Sequence, residues 1–309
     1  MEQFLIVAEI VAPILVAILL GILARKKQLM TPEEVSGLQQ FVIQFALPCV
    51  VFNACISANI GVEYLGCMLM VVILILSATI GAFWARKKIF PYHNVPLLFS
   101  TQETGLLGIP LFIVLFGADQ LYHMSVLDLS QALFFYITFA ILSSNTGENP
   151  SPLLILKKVC TSPLLLVCIL ALTLNFSGMG QWLMEIGVGR VITASTGFLA
   201  QPVSALMIFC VGYNFSLSKE NLRAIFQISA IRFTLFFIAG LLMQLGLFLI
   251  PNIEPNMRWA VLMYTTLPAS YMAPSVGKTE EDFAVASGVC SITTLTSLLV
   301  FCVIAAFVA

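Results

Sequence analysis

The chain has 309 residues, 60% of them hydrophobic and only 9% charged, with a net charge of −1. That composition excludes an ordinary globular domain and leaves no basic surface for nucleic acid. The class it predicts is an all-α integral membrane protein.

The first residues, MEQFLIVAEI, carry no basic segment ahead of their apolar run, so they read as a first span and not as a cleaved leader. With about 20 apolar residues needed to cross a bilayer core, ten spans follow in order. They are roughly 4–24, 35–57, 64–85, 94–117, 120–142, 159–178, 190–215, 224–250, 257–277 and 283–308. Connections are short and leave no room for a soluble domain. With the N-terminus outside, the inner loops hold Arg25, Lys26, Lys27, Arg86, Lys87, Lys88, Lys157, Lys158, Lys219, Arg223 and Lys278. The outer loops hold Arg190 and Arg258, and Arg232 falls inside the eighth span. Basic residues mark the cytoplasmic side, so the expected protein is multi-pass in the cell membrane with both termini outside. The 8 cysteines lie in apolar runs without a C-x-x-C pair, which argues for packing rather than disulfides or zinc.

The halves echo each other. VAPILVAILLGIL around Pro13 matches TSPLLLVCILAL around Pro163, and FALPCVVFNACIS around Pro48 matches LAQPVSALMIFCVG around Pro202. TGLLGIPLF around Pro110 matches YTTLPASYMAPSV around Pro268 and Pro274. Five spans per half force the second copy into the membrane inverted. The expected organisation is therefore a first five-helix repeat over 1–145 and a second, inverted one over 146–309. Inverted repeats with Gly/Pro-interrupted spans are the architecture of secondary transporters, and the interrupted spans point to the binding site. Here they are the fourth and ninth.

Interruption has a physical consequence. A proline removes one N–H and displaces the carbonyl a turn earlier, and in hydrocarbon such groups survive only under protein or water. Gly105 and Gly108 loosen the chain before Pro110, so a helix N-terminus is expected at Leu111. Pro268, Ser270 and Pro274 are expected to supply its counterpart. Two facing N-termini suit a carboxylate, and the C-terminal ends before them suit a cation.

Four stretches, ALPCVVF, ETGLLGIPLF, QPVSALMIFCVG and TLPASYMAP followed by SITTLTSLLVF, resemble the auxin efflux carrier family. That family includes plant PIN-type carriers and bacterial permeases assigned to malate, malonate and similar acids. The resemblance runs through nearly the whole chain. It implies ten helices in two inverted repeats with the fourth and ninth crossing at Pro110 and Pro268, similar to sodium/proton antiporters and bile-acid/sodium symporters. It also implies a scaffold of helices 1, 2, 6 and 7, through which members often dimerise. A transport unit of helices 3–5 and 8–10 would move against that scaffold. Family members commonly read N-T-x-x-x-G-I-P, and this chain has Glu103 in place of the asparagine. A carboxylate there repels an anionic substrate unless it is protonated, paired or neutralised by a cation. ETG at Glu103–Gly105 is similar to the E-x-G stretch that the bile-acid symporters place near sodium.

Among the polar residues, Glu103 lies near mid-membrane, where an ionisable group marks an ion or proton pathway. The competing reading is a protonated structural glutamic acid. Gln102, Thr104, Ser270 and Tyr271 flank the breaks as substrate contacts or helix glue. Asn53 and Gln201 are candidates to line the cavity from the scaffold side. Asp128 is expected either to form a cation site with Glu103 or to pair with Arg232, which could equally snorkel to the surface. Tyr64, Trp84, Tyr92, Tyr122, Trp182 and Trp259 fall near span ends as an aromatic belt.

The expected activity is secondary transport of a small organic anion by an elevator-type movement, coupled to H+ or to Na+ held near Glu103. The expected partners are that substrate, membrane lipid and a second copy of the chain, with no other cofactor or metal. No H-E-x-x-H or G-x-G-D motif is present, and both histidines, His93 and His123, lie at span boundaries, so no enzyme is expected. A channel lacks its rings of charge. A sensor binding the same ligand without moving it is the remaining alternative.

Overall fold

The computed structural model describes residues 2–56, 63–143, 161, 163–215, 221–251 and 253–308. Lys157, Lys158, Lys219, Cys160 and the boundary between 145 and 146 lie outside the described residues. The helices, in order, are α1 (Glu2–Lys26), α2 (Pro32–Ile56), α3 (Glu63–Lys88), α4 (Val95–Ser100), α5 (Thr104–Phe116) and α6 (Tyr122–Ser143). They continue as α7 (Pro163–Phe176), α8 (Met179–Glu185), α9 (Val188–Asn214), α10 (Leu222–Leu247), α11 (Pro255–Thr266) and α12 (Glu280–Val308). Among the described residues 6 helices are long and apolar enough to cross a membrane, within α1, α2, α3, α9, α10 and α12. The chain is an all-α integral membrane protein. The sixth predicted span is bent: α7 and α8 meet at 79°.

Apolarity on every face follows from a lipid solvent. On α3, Leu69, Ile73, Leu76 and Ile80 are exposed, whereas Cys67, Val71, Ile75 and Ala78 are buried. Both sets are apolar, so the split between them is decided by neighbours. The seven described cysteines form no disulfide.

Prolines inside α2 and α5 are accommodated by the same device. A proline ring clashes with the carbonyl four residues back. In α2 the turn Val42–Ala46 widens to a π-helix just before Pro48, and in α5 the turn Thr104–Gly108 does so before Pro110. Leu47 N–H then bonds to Val42 O, and Ile109 N–H to Thr104 O, five residues back instead of four. The wide turn moves the obstructing carbonyl aside, so the helix passes through each proline unbroken.

α1 packs along the C-terminal half of α9, and α7 packs along the C-terminal half of α2. α3 packs on α4 and α6, while α10 packs on α11 and α12. The α1–α9 crossing brings backbone against backbone. A Cβ on Gly21 would lie 2.1 Å from the Phe209 carbonyl oxygen, and one on Gly212 would lie 2.1 Å from that of Ile18.

One end of the bundle gathers the basic loops. Arg25 donates to the carbonyls of Tyr213 (3.4 Å) and Phe215 (3.0 Å), tying the end of α1 to that of α9. Nearby, Thr31 and Glu34 cap α2 reciprocally. At this end too, Asp282 accepts from the backbone N–H groups of His93 (2.7 Å), Lys278 (3.0 Å) and Thr279 (3.1 Å). The opposite end is pinned by Tyr122 donating to Glu254 (2.8 Å) and Asn256 donating to Gln120 (3.0 Å). Tyr64 and Tyr122 are buried there beside His123, so these two leave the expected aromatic belt, whereas Trp84 and Trp182 are exposed.

Gly212→Val should separate α1 from α9, because the overlapping atoms are backbone and have no rotamer to move. Overpacking of this kind costs about 1–3 kcal/mol, read as a lower melting temperature in detergent. Gly37→Ala, whose Cβ meets nothing within 4 Å, should leave it unchanged or slightly higher.

Candidate functional site

The fourth and ninth predicted spans are both broken, and the breaks meet. α4 ends at Ser100, and Thr101 turns extended (φ −152°, ψ 161°). α11 ends at Thr266, and Leu267 is extended (φ −64°, ψ 154°) because the following Pro268 excludes it from the helical region. The two loosened strands then pair with each other. Gln102 and Ala269 form an antiparallel bridge, and Glu103 N–H donates to the Pro268 carbonyl at 3.0 Å. Ala269 N–H is taken by Thr293 Oγ1 of α12 at 3.3 Å.

The break in the fourth span therefore lies at 101–103, not at Pro110, and the helix restarts at Thr104 rather than at Leu111. Pro110 sits buried inside α5, carried by the π turn. Gly108 serves close approach: a Cβ there would fall 2.6 Å from Leu267 Cδ1 of the other break. Gly105 has room for a side chain, with only Leu47 Cδ2 at 3.8 Å. Pro274 lies in a short 3-10 turn, Ala273–Val276, that follows the second break.

The seat expected for a substrate carboxylate holds a side chain of the protein. Glu103 caps α5, its Oε1 accepting from Leu106 N–H at 3.3 Å. Its Oε2 accepts from Tyr271 N–H, on the opposite break, at 2.7 Å. One donor thus comes from each interrupted span. Ser270 is buried beside this point, its carbonyl accepting from Cys290 Sγ at 3.4 Å, and the Tyr271 hydroxyl meets Thr294 Oγ1 at 2.7 Å.

Arg232 fills the complementary role. It is 1% exposed, so it does not snorkel, and it makes no pair with Asp128. Its guanidinium donates to the carbonyls of Leu98 (2.7 Å) and Thr101 (3.2 Å) at the end of α4. It also donates to those of Leu267 (3.4 Å) and Pro268 (3.0 Å) after α11, and to Gln102 Oε1. Those of Leu98, Thr101 and Leu267 are carbonyls that the two helix ends leave, and that of Pro268 is shared with Glu103 N–H.

Gln131 of α6 locks the break from the other side. Its Oε1 accepts from Gln102 N–H (2.7 Å) and from the Tyr264 hydroxyl (2.8 Å). Its Nε2 donates to Gln102 O (2.9 Å), Thr104 Oγ1 (2.5 Å) and Asp128 Oδ1 (2.8 Å). Asp128 Oδ1 also accepts from Thr104 Oγ1 at 2.5 Å, so Thr104, the residue after Glu103, ties the break to α6. Gln131 and Tyr264 were not among the sequence candidates. Their signal was spacing: Gln131 is three residues beyond Asp128 and so shares its helix face.

Asn53 and Gln201 do not join this cluster. Asn53 bonds to Thr193 O (3.4 Å) and Thr196 Oγ1 (2.5 Å), fastening α2 to α9, and Gln201 is exposed at the turn that divides α9. A cavity of about 500 Å³ reaches the cluster from the basic end, lined by Ser36, Gln39, Asn214, Tyr271, Ser287, Ser291 and Thr294. A second, about 610 Å³, shares Asn214, Phe283 and Ser287 with it and adds Arg25 at its rim. Hydroxyls and amides line the route, with a cation at its outer part.

A model described as membrane transport protein matches residues 6–307 of the chain. The chain is also 25% identical over 233 residues to an "Uncharacterized transporter" of Methanothermobacter thermautotrophicus (strain Delta H), covering 72% of this chain and 74% of that protein.

Gln131→Leu should strip the Gln102 N–H and the Tyr264 hydroxyl of their Gln131 acceptor, while the Gln102 carbonyl keeps its Thr104 donors. Leaving buried polar groups unpaired costs about 1–3 kcal/mol each, so the variant is expected to melt well below the native chain. Asn53→Ala, distant from the break, should melt closer to native while loosening α2 from α9, which cysteine cross-linking between those helices would register.

Proposed function

The chain belongs to the membrane transport protein family, that of the auxin efflux carriers, and from that premise we propose that it is a secondary active transporter of a small organic anion. The observation that carries the reading is the position of Glu103. Its carboxylate rests on one N–H from each broken span, Leu106 and Tyr271, where a substrate carboxylate would be expected to bind.

Competition between the two carboxylates supplies the coupling. While Glu103 is ionised it holds both donors through charge-assisted bonds and repels an incoming anion. Once a cation neutralises it, H+ by adding to the carboxylate or Na+ by binding beside it, the grip weakens and the repulsion disappears. The substrate carboxylate then takes the two N–H groups. One positive charge enters with one carboxylate, so the loaded site carries the same net charge as the empty one. A loaded site whose charge is unchanged crosses the membrane at less cost than one that gains a further charge.

Packing supports the inverted repeat. α1 lies on α9 while α7 lies on α2, the exchange of partners that a two-fold relation between halves requires, and α3 with α4 and α6 is matched by α10 with α11 and α12. On this reading α1, α2, α7 and α9 form a scaffold and, in a homodimer, the contact surface. The broken spans travel with α3, α6, α10 and α12 in an elevator-type movement. The basic end is cytoplasmic by the distribution of lysine and arginine, which places both termini outside. The cavity from that end to Tyr271, with the other end pinned by Tyr122 and Glu254, corresponds to an inward-open stage.

The test is uptake of labelled dicarboxylic and aromatic acids into proteoliposomes, with proton and sodium gradients imposed separately. Native protein should accumulate one acid class under a gradient. Glu103→Gln should lose gradient-driven accumulation by roughly tenfold or more, since an amide cannot cycle its charge, while substrate exchange persists. Uphill accumulation by that variant equal to native would sink the coupling role. Substrate binding without flux in the native protein would instead make it a sensor.

A further inference from the structure

The breaks sort charge into two poles, and only one of them is available to a mobile ion. The ends of α4 and α11 each present the negative end of a helix dipole, about half an elementary charge apiece. Together they call for about one positive charge, and Arg232 brings one. Its two terminal nitrogens donate to four carbonyls and the Gln102 side-chain oxygen, Nη1 to Leu98 and Nη2 shared among the rest. The guanidinium is buried and backed by the Phe236 ring, 4.6 Å away.

We propose that Arg232 is a tethered substitute for a coupling cation, so that the carrier is indifferent to sodium and the proton is the ion that neutralises Glu103. A sodium ion needs several oxygen ligands at once, and the free carbonyls of the crossing are the natural set. Those of Leu98, Thr101, Leu267 and Pro268 already accept from Arg232, and that of Gln102 accepts from Thr104 and Gln131. What remains around Glu103 is the wrong polarity for a metal: Leu106 and Tyr271 turn N–H groups toward its oxygens. Asp128 Oδ1 is likewise met by donors, from Thr104 and Gln131. Among the described residues, no cluster of three or more His, Cys, Asp or Glu could hold a metal ion. A proton needs no such shell. The titratable and charged groups facing Glu103 are Asp128 of α6, Tyr271 of the opposing break and Cys290 of α12. Arg232 of α10 lies across the crossing, bonded to Gln102, the residue next to Glu103.

The proton assignment rests on the transport reading above, whereas the sodium indifference does not, and the experiment separates them. The full chain in detergent is melted in sodium, potassium and N-methylglucamine chlorides at matched ionic strength. The native protein should melt at one temperature in all three. A saturable rise in sodium alone, roughly 3 °C or more for an occupied site, overturns the proposal. Arg232→Gln empties the carbonyl cage: its melting temperature should fall and be raised again, saturably, by sodium or methylguanidinium. A folded variant that responds to neither shows that the cage takes no cation, and also overturns it. If that variant does not fold, Arg232→Lys, which keeps the charge with fewer donors, should remain indifferent to sodium, and a sodium response in it counts against the assignment. In proteoliposomes, accumulation driven by a pH gradient should persist when sodium is replaced on both sides. Absence of any flux would undo the transport reading while the melting result still decides the role of Arg232.

Discussion

Hydrocarbon offers no hydrogen bonds, so a helix interrupted in mid-membrane must find partners for the peptide groups it releases. Two interruptions meet in this protein, and the released groups are satisfied partly across the meeting point and partly by side chains of α6, α10 and α12. Gln102 and Ala269 pair as a fragment of antiparallel sheet, and Glu103 N–H reaches the Pro268 carbonyl. Each break supplies what the other lacks, which makes the crossing a single cooperative unit built from sequences 160-odd residues apart.

The surrounding helices are arranged around that unit. α10 contributes Arg232 to the carbonyl pole, α6 contributes Gln131 to the Gln102 peptide, and α12 contributes Thr293 and Thr294. Buried polar networks of this kind rigidify when every member is satisfied. The Gln102 side chain is the exception, its Nε2 buried without a partner among the described residues, and the α1–α9 face is held separately by glycine-to-backbone contact.

Sorting donors from acceptors at the crossing also explains how an acidic residue can stand at this break. An asparagine offers both polarities. Glu103 in its charged form offers only acceptors, and the structure answers with two N–H groups and no carbonyl at its oxygens. The fixed cation at the opposite pole balances that charge over the whole unit. Glu103 therefore occupies both donors that the two breaks turn toward it.

Much of this was legible in the chain itself. Hydropathy determined the class, because a bilayer demands apolar residues on all faces. The prolines and glycines around 105–110 and 268–274 located the interruptions to within a few residues, and Glu103 announced itself as a carboxylate where leucine was expected. The position of the break, however, fell at 101–103, because a π turn lets α5 run through Pro110, and local propensity does not reveal how a helix absorbs a proline. Partners were decided by tertiary structure alone. Arg232 could have paired with Asp128 or reached for the surface; it instead binds carbonyls from residues more than a hundred positions away in one direction and about thirty-five in the other. Sequence determines which charges must be compensated within the membrane, and only the folded arrangement decides what compensates them, because that choice depends on distances between segments the sequence does not place.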